Sequence, residues 1–167
     1  MRFELDQRVR APLEAVQAAF IDPAFLAELG ALPKLGRLEL LEQEERAGLV
    51  WQRVRYAFVG ELSSAVRAVI SPDRLTWIEE SALDPATHIT TFTILPDHYA
   101  KLLEASGTIT LSTDGAGDAA TLRETIGDLV VHMPFVGRKV ETAIVSGLME
   151  HARLAAEAAE RWTTDPR

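Results

Sequence analysis

Four polar side chains occupy positions in predicted strands whose alternating neighbours are apolar, so their chemistry would be directed at the interior. These residues are Gln7, Gln52, Glu79 and Glu124. A carboxylate in an apolar site is costly unless it is paired or protonated, which makes an inward Glu124 a candidate for orienting a bound ligand. Alternatively, a twist or bulge turns Glu79 and Glu124 to solvent, or an arginine such as Arg55 or Arg123 satisfies them.

The other reactive residue types form no recognised catalytic or metal-binding pattern. The four histidines contain no His-Glu-x-x-His motif or i, i+4 pair, no serine lies in a Gly-x-Ser-x-Gly elbow, and cysteine is absent. Gly115-Ala116-Gly117 lies between two predicted strands, which indicates a hairpin turn and not a nucleotide loop. We therefore expect no catalytic residue, no metal and no cofactor.

Composition and charge narrow the class of protein. The chain has 167 residues with a net charge of −8, which argues against a nucleic-acid partner. No apolar run approaches the roughly 18 residues that span a bilayer, and the charged, alternating start is unlike a signal peptide. We expect a cytoplasmic protein, a monomer or homodimer, without stable membrane insertion. Its 47% hydrophobic content must then be enclosed.

Periodicity predicts one strand, two short helices, a series of strands and a long helix. Residues 3–9 alternate as a strand, Pro12 begins a helix, and a second helix runs from Pro23 to about Leu29 with Gly30 as its cap. Seven further strands are predicted at about residues 36–44, 49–58, 63–70, 74–81, 88–95, 105–112 and 119–130. Short connections between them indicate an antiparallel meander. Pro134 begins a final helix that extends to about Trp162.

Strand alternation assigns an inner face to this sheet. Its predicted inward residues are Leu38, Leu40, Val50, Val54, Tyr56, Phe58, Val66, Ala68, Ile70, Leu75, Trp77, Gly107, Ile109, Leu111, Leu122, Ile126 and Val130. The last helix presents an apolar stripe that includes Ile144 and Leu148. Small residues also lie on that stripe, namely Ala143, Gly147, Ala152, Ala155, Ala156 and Ala159. These predict a space between helix and sheet, unless they simply permit closer packing.

Three local motifs, together with the order of elements, resemble a known superfamily. Residues 71–75 (Ser-Pro-Asp-Arg-Leu) are similar to its turn between two middle strands, and residues 107–111 (Gly-Thr-Ile-Thr-Leu) to the strand that follows. Residues 131–141 resemble the start of the last helix in a START-like family of unknown function. The whole chain thus resembles the SRPBCC superfamily, which includes START domains, polyketide cyclases and birch-pollen allergens.

The resemblance implies an α+β helix-grip fold, in which a curved antiparallel sheet wraps around a long C-terminal helix. We expect a single domain over residues 1–162, with a short tail at 163–167. Residues 89–105 depart from the superfamily pattern by adding a strand and a turn to its six-stranded meander. The family of unknown function supplies no catalytic residues to transfer.

The resemblance and the predicted space favour a carrier that binds a hydrophobic small molecule, such as a lipid, sterol or polyketide-like compound. We expect a pocket of several hundred Å³. The residues predicted to bind the ligand are Gln52, Tyr56, Trp77, Ile109, Glu124, Ile144 and Leu148. One alternative is an enzyme of the cyclase or aromatase type that uses a cavity carboxylate or histidine. Another is a START-like module that binds a protein through its sheet.

Overall fold

A seven-stranded antiparallel sheet and one long helix organise the protein. The structure, a computed structural model, describes residues 1–32, 37–57, 64–68, 71–115 and 120–164. Its elements are β1 (Arg2–Val9), α1 (Leu13–Phe20), α2 (Pro23–Ala31), β2 (Leu38–Arg46), β3 (Leu49–Ala57), α3 (Ser64–Arg67), a 3-10 turn (Pro72–Arg74), β4 (Thr76–Asp84), β5 (Ile89–Pro96), β6 (Leu103–Thr113), β7 (Thr121–Val131) and α4 (Gly137–Thr164).

The sheet is an open antiparallel meander, and the first strand of the chain lies at one of its edges. Strands β2 to β7 follow one another in space, and β1 pairs with β7, which gives the order β1-β7-β6-β5-β4-β3-β2. Every neighbouring pair is antiparallel. Helix α4 packs along β1 and β7 and against α1 and α2. This curved sheet around a long C-terminal helix confirms the predicted helix-grip fold.

The predicted strand at residues 63–70 is wrong, because Ser64–Arg67 forms the short helix α3. Strand β3 pairs directly with β4 along its length, so the segment between them in the chain does not lie between them in the sheet. Local β-branched composition is a weak guide where tertiary pairing decides the structure. Ala68, predicted to face inward, is exposed. Three further predicted inward positions, the side chain of Val66 and residues Phe58 and Ile70, lie outside the described part of the structure.

Because residues 63–70 contain no strand, the predicted departure from a six-stranded meander at residues 89–105 must also be corrected. Strand β5 pairs with β4 from Ile89 opposite Asp84 to Pro96 opposite Trp77, and is therefore one of the six meander strands. The expectation that this segment adds a strand to the meander is wrong. The surplus strand in the prediction is the one at residues 63–70.

The hydrophobic core is divided into two clusters at opposite ends of α4. One cluster joins α1, α2 and the last turns of α4, where Ala155, Ala156, Ala158 and Ala159 are all buried. The other joins β1, β5, β6 and β7 to the first turns of α4 through Val140 and Ile144. Small residues near the end of α4 thus permit close packing onto α1 and α2. For this part of the helix, the structure agrees with the interpretation that its small residues allow closer packing.

Helix α4 extends slightly further than predicted. The hydroxyl groups of Thr163 and Thr164 donate hydrogen bonds to the carbonyl oxygens of Ala159 and Glu160, both at 2.9 Å. These two residues, assigned to a tail by the sequence prediction, therefore belong to the helix. Residues 165–167 lie outside the described part of the chain.

Gly30 is required for a close backbone approach and is not the predicted cap. Helix α2 continues through Ala31, and Leu32 caps it. A β-carbon at position 30 would lie 2.4 Å from the carbonyl oxygen of Leu38 in β2. Because that neighbour is backbone, it cannot move aside as a flexible side chain could. The absence of a side chain at Gly30 therefore allows α2 to contact the edge strand.

The variant Gly30→Ala tests this contact. Alanine normally stabilises a helix interior relative to glycine by roughly 1 kcal/mol, whereas we expect Gly30→Ala to destabilise the protein by about 1 to 3 kcal/mol through overpacking. Chemical denaturation measures the difference. Ala27→Gly, at an exposed position of the same helix, reports the propensity alone. A gain for Gly30→Ala as large as the loss in Ala27→Gly would contradict the close approach.

Candidate functional site

The register of β7 decides which of its side chains face the interior. Ile109 and Leu111 of β6 point inward, and they lie directly opposite Thr125 and Arg123 of β7. Opposed residues on neighbouring strands share a face. Arg123 and Thr125 are therefore inward, and the predicted inward orientation of Glu124 is wrong.

The same register places three apolar residues on the outer face of β7, contrary to the sequence prediction. These are Leu122, Ile126 and Val130, of which Ile126 and Val130 are exposed. The inner face instead carries Thr121, Arg123, Thr125 and Gly127, followed by Leu129 and Val131. Alternating hydrophobicity misleads here because the inner wall of this strand is mostly polar or small.

A cavity of about 210 Å³ lies between α4 and the concave face of the sheet. Its volume is smaller than the several hundred Å³ expected from the sequence. Most of its walls are aliphatic or aromatic, and residues from both core clusters contribute. Of the residues predicted to bind a ligand, six lie on the wall, namely Gln52, Tyr56, Trp77, Ile109, Ile144 and Leu148. Glu124 does not.

Two charged side chains line this cavity from different strands. Glu79 projects from β4, and Arg123 projects from β7. Burial raises the pKa of the Glu79 carboxyl from 4.5 to about 7, although the positive charge of Arg123 opposes the shift. Burial also lowers the pKa of Arg123, against the influence of Glu79 and Tyr56. The two charges thus affect one another across the cavity.

Arg123 is held in place by neutral partners. Its Nη1 donates to Oε1 of Gln7 at 2.6 Å, the residue opposite it on β1, and to Oγ1 of Thr125 at 3.4 Å. Its guanidinium carbon lies 4.9 Å from the centroid of the Phe20 ring, a distance typical of a cation-π contact. In the described part of the structure the side chain of Arg123 bonds to Gln7 and Thr125 and not to Glu79. Of the alternatives raised by the sequence, an arginine partner for Glu79 is therefore present only as a longer-range charge.

An aromatic wall adjoins the two charged residues. Tyr56 and Trp77 are opposed on β3 and β4, and their rings stack with centroids 5.8 Å apart and planes 13° apart. The ring of His151 from α4 meets Tyr56 edge-on at 5.5 Å. The pKa of the Tyr56 hydroxyl is raised, first by burial and then by the charge of Glu79. Tyr56 therefore stays a neutral hydroxyl that can donate or accept a hydrogen bond.

Two buried amides have an unused donor. Nε2 of Gln52 and Nε2 of Gln7 are both inaccessible and have no hydrogen-bond partner in the described part of the structure. Gln52 lies on β3 opposite Ser81 of β4, beside the cavity. A buried donor without a partner costs about 1 to 3 kcal/mol. Of the two residues, only Gln52 also lines the cavity, so the wall includes one residue whose amide donor the described structure leaves unsatisfied.

The residue that sequence reasoning misses is Arg123. Strand parity predicts it on the outer face of β7, because Leu122 and Ile126 set the apparent orientation of the strand. Pairing with β6 supplies the missing signal, since the inward residues Ile109 and Leu111 fix the residues opposite them. Alternation predicts an inward Glu79, and the structure agrees.

Two of the histidines and the apolar segment before α4 occupy different parts of the structure. His98 lies at the cavity wall, in the connection between β5 and β6. His88 bonds through Nδ1 to Oε1 of Gln17 at 2.8 Å. In the apolar segment before α4, Met133 packs against the core, whereas Phe135 is fully exposed with a φ of 65°. No helix in the described ranges is long and apolar enough to cross a membrane.

The protein has a helix-grip fold with an internal cavity, and solved structures share this fold along nearly the whole chain. The Zhui aromatase/cyclase from Streptomyces sp. R1128 aligns with a TM-score of 0.64 and 19% identity, over 97% of this chain and 95% of its own. Norcoclaurine synthase from Thalictrum flavum, in complex with dopamine and hydroxybenzaldehyde, aligns with a TM-score of 0.66 and 17% identity, over 100% and 89%. The protein TTHA0849 from Thermus thermophilus gives 0.65 and 15%, over 98% and 97%.

The family follows from a match along nearly the whole chain. Residues 4–163 match the family described as Protein of unknown function (DUF2505), so the chain belongs to that family. No curated protein matches it. The identities to solved structures are low enough that they establish the shared fold alone.

The variant Glu79→Gln tests the buried carboxyl. Because the pKa of Glu79 is about 7 in the folded protein and about 4.5 when unfolded, the unfolded chain loses its proton first as pH rises. Stability is therefore lost between pH 4.5 and 7. We expect Glu79→Gln to recover up to about 3 kcal/mol of unfolding free energy at about pH 8, and almost none at about pH 4.

Denaturant unfolding at the two pH values measures this difference. The control is Glu80→Gln, the next residue of β4, whose carboxylate pairs with Nε of Arg53 at 3.1 Å on the other face. That variant should lose less than about 1 kcal/mol at about pH 8. If Glu79→Gln and Glu80→Gln responded alike to pH, Glu79 would not be buried as described.

Proposed function

We propose that this protein binds a compact, largely apolar small molecule that contains one or two rings in the cavity beneath α4. The observation that carries the proposal is the cavity itself, whose apolar and aromatic walls converge on a few polar groups. Such a combination is the usual composition of a small-molecule site, in which the apolar wall supplies affinity and the polar groups set orientation. Here the polar groups include Gln52, Tyr56, Glu79 and Arg123.

The size and shape of the cavity support a ring compound over a larger lipid or sterol. A volume of about 210 Å³ lies below the roughly 300 to 1,000 Å³ common for drug-sized ligands. The stacked Tyr56 and Trp77 offer a flat apolar surface, against which another ring can pack. The dopamine and hydroxybenzaldehyde in the norcoclaurine synthase complex are ring compounds of this kind.

Filling the cavity tests the proposal. Ala152 lines the cavity from α4, so Ala152→Phe should place a ring inside it and abolish binding of 2-naphthol. Met149 is on the same helix but exposed, so Met149→Phe should bind as the wild type does. Isothermal titration calorimetry measures binding, and native mass spectrometry of protein purified from its own host tests for a retained ligand.

Two outcomes would reject this proposal. One is that the wild type shows no saturable binding of ring compounds and no retained ligand. The other is that Ala152→Phe binds as tightly as Met149→Phe while both remain folded, since the ligand would then occupy another place. Circular dichroism of the two variants verifies their folding.

A second candidate is an enzyme of the cyclase or aromatase type, and Glu79 is the observation that favours it. A general acid or base acts best when its pKa lies near the working pH. The pKa of Glu79 is about 7, and its carboxyl faces the cavity beside Tyr56 and Arg123. In this account Glu79 replaces Glu124 as the proton-transfer group, because Glu124 is on the other face of the sheet.

A poly-β-ketone thioester mimic tests the enzymatic account. We expect cyclised product from the wild type, with a rate that changes with a midpoint near pH 7, and a loss of roughly 100-fold or more in Glu79→Gln. Glu80→Gln is the control, since its carboxylate faces away from the cavity. Product formation that is equal in both variants, or that occurs no faster than without protein, would reject catalysis by Glu79.

A further inference from the structure

We propose that the cavity selects ligands carrying an acidic group, a carboxylate or an enolate, which pairs with Arg123 while Glu79 takes up a proton. This inference rests on the proposed function, because it names the chemical class of the molecule bound. It is carried by an arginine that is fixed in the cavity wall with most of its donors unused, and by the placement of Glu79 on the wall of the same cavity.

The unused capacity of Arg123 is the first observation. A guanidinium has five N–H donors in a planar fork. Only Nη1 has hydrogen-bond partners in the described part of the structure, and both are neutral, the amide oxygen of Gln7 and the hydroxyl of Thr125. No carboxylate of those described residues lies within salt-bridge distance of Arg123. The remaining donors can therefore form the bidentate pair that guanidinium makes with a carboxylate.

The rigidity of this donor is the second observation. The guanidinium bonds to Gln7, which lies opposite Arg123 on β1, and to Thr125, which lies two residues further along β7. The Phe20 ring lies against it. A side chain that is already ordered loses little conformational entropy when it binds a ligand. Arg123 is thus preorganised, and an acidic group reaching it would form hydrogen bonds without rearranging the wall.

The position of Glu79 is the third observation. The charge that most affects the pKa of Arg123 is that of Glu79, which lines the same cavity from β4. An acidic ligand between them would satisfy Arg123 but would repel an ionised Glu79. Because the pKa of Glu79 is already about 7, protonation removes that repulsion at small cost near neutral pH. The neutral carboxyl can then donate a hydrogen bond to the ligand.

Other ionisable groups also face the cavity, and they do not supply a competing anion. Tyr56 keeps its proton because its pKa is raised. Glu150 of α4 pairs with Nη2 of Arg153 at 2.7 Å on the exposed side of the helix. The others are Arg74, His98, Tyr99 and His151. None of these four side chains is a carboxylate. With Glu150 paired to Arg153 and Glu79 protonated, the lining therefore has no unpaired carboxylate to compete with an acidic ligand.

The experiment compares two probes of nearly equal shape, 2-naphthoate and the neutral 2-naphthamide, by isothermal titration calorimetry. For the wild type at about pH 6 we expect 2-naphthoate to bind at least roughly tenfold tighter. Its affinity should fall about tenfold between about pH 6 and pH 8, because Glu79 with a pKa of about 7 loses its proton over this interval. The affinity for 2-naphthamide should change by less than about threefold.

Proton uptake is a separate reading from the same titrations. At about pH 7.5, the measured enthalpy for 2-naphthoate should depend on the ionisation enthalpy of the buffer, with a slope that indicates net uptake of protons. The slope for 2-naphthamide should be near zero. Equal slopes for the two probes would overturn the role given to Glu79.

Variants assign the two effects to their residues. Arg123→Gln should remove the preference for 2-naphthoate, and Arg123→Lys, which retains the charge without the fork, should keep part of it. Glu79→Gln should retain the preference and lose its pH dependence. Arg55→Gln is the control, because Arg55 pairs with Asp97 at 3.5 Å away from the cavity. If Arg123→Gln does not fold, the affinities of 2-naphthoate and 2-naphthamide for Arg123→Lys and for the wild type still test the role of Arg123.

The outcomes separate this inference from the proposed function. If 2-naphthoate and 2-naphthamide bind with equal affinity to the wild type, the acidic-ligand inference is overturned and the cavity still binds ring compounds. If neither probe binds, the proposed function fails and the inference fails with it. If 2-naphthoate binds more tightly but Arg123→Gln keeps that preference, the assignment to Arg123 is overturned.

Discussion

A single helix cannot fill the concave face of a strongly curved sheet, and the rest of this structure depends on that constraint. Small residues let the end of α4 pack closely onto α1 and α2, while Val140 and Ile144 join its beginning to the sheet. Between these two clusters the sheet and helix separate, and the cavity results. The closely packed ends thus supply stability, and the open middle forms the cavity in which we propose that a ligand binds.

Within that space, burial is the main cause of the shifted pKa values of Glu79 and Arg123. Glu79 and Arg123 belong to strands that are separated by β5 and β6, so sheet curvature and not pairing brings them to one cavity. Each charge is poorly solvated and too far from the other to form an ion pair, which is why the pKa of both groups is displaced. The acidic ligand group that we propose would lie between these two residues.

Much of this arrangement is predictable from the sequence, and the failures have physical causes. Periodicity and turn residues predict the order of elements. Strand alternation then predicts four wall residues, including Tyr56 and Trp77, and the apolar stripe of the last helix predicts Ile144 and Leu148. The alternation of apolar residues wrongly predicts that Glu124 faces inward, because much of the inner face of β7 is polar and its apolar residues Leu122 and Ile126 face outward. The predicted strand at residues 63–70 fails because β-branched composition does not reveal that β3 and β4 already pair. Such errors concern pairing between strands, which a local pattern does not encode.

The central claim is that a buried carboxyl faces an arginine across an apolar cavity, and the ionisation of Glu79 measures this most directly. In the ligand-free protein with carbon-labelled glutamate, the carboxyl carbon of Glu79, assigned by comparison with the Glu79→Gln variant, can be followed by NMR as pH changes. The account predicts a midpoint near pH 7. A midpoint near 4.5, the ordinary value for a solvated glutamate, would contradict it.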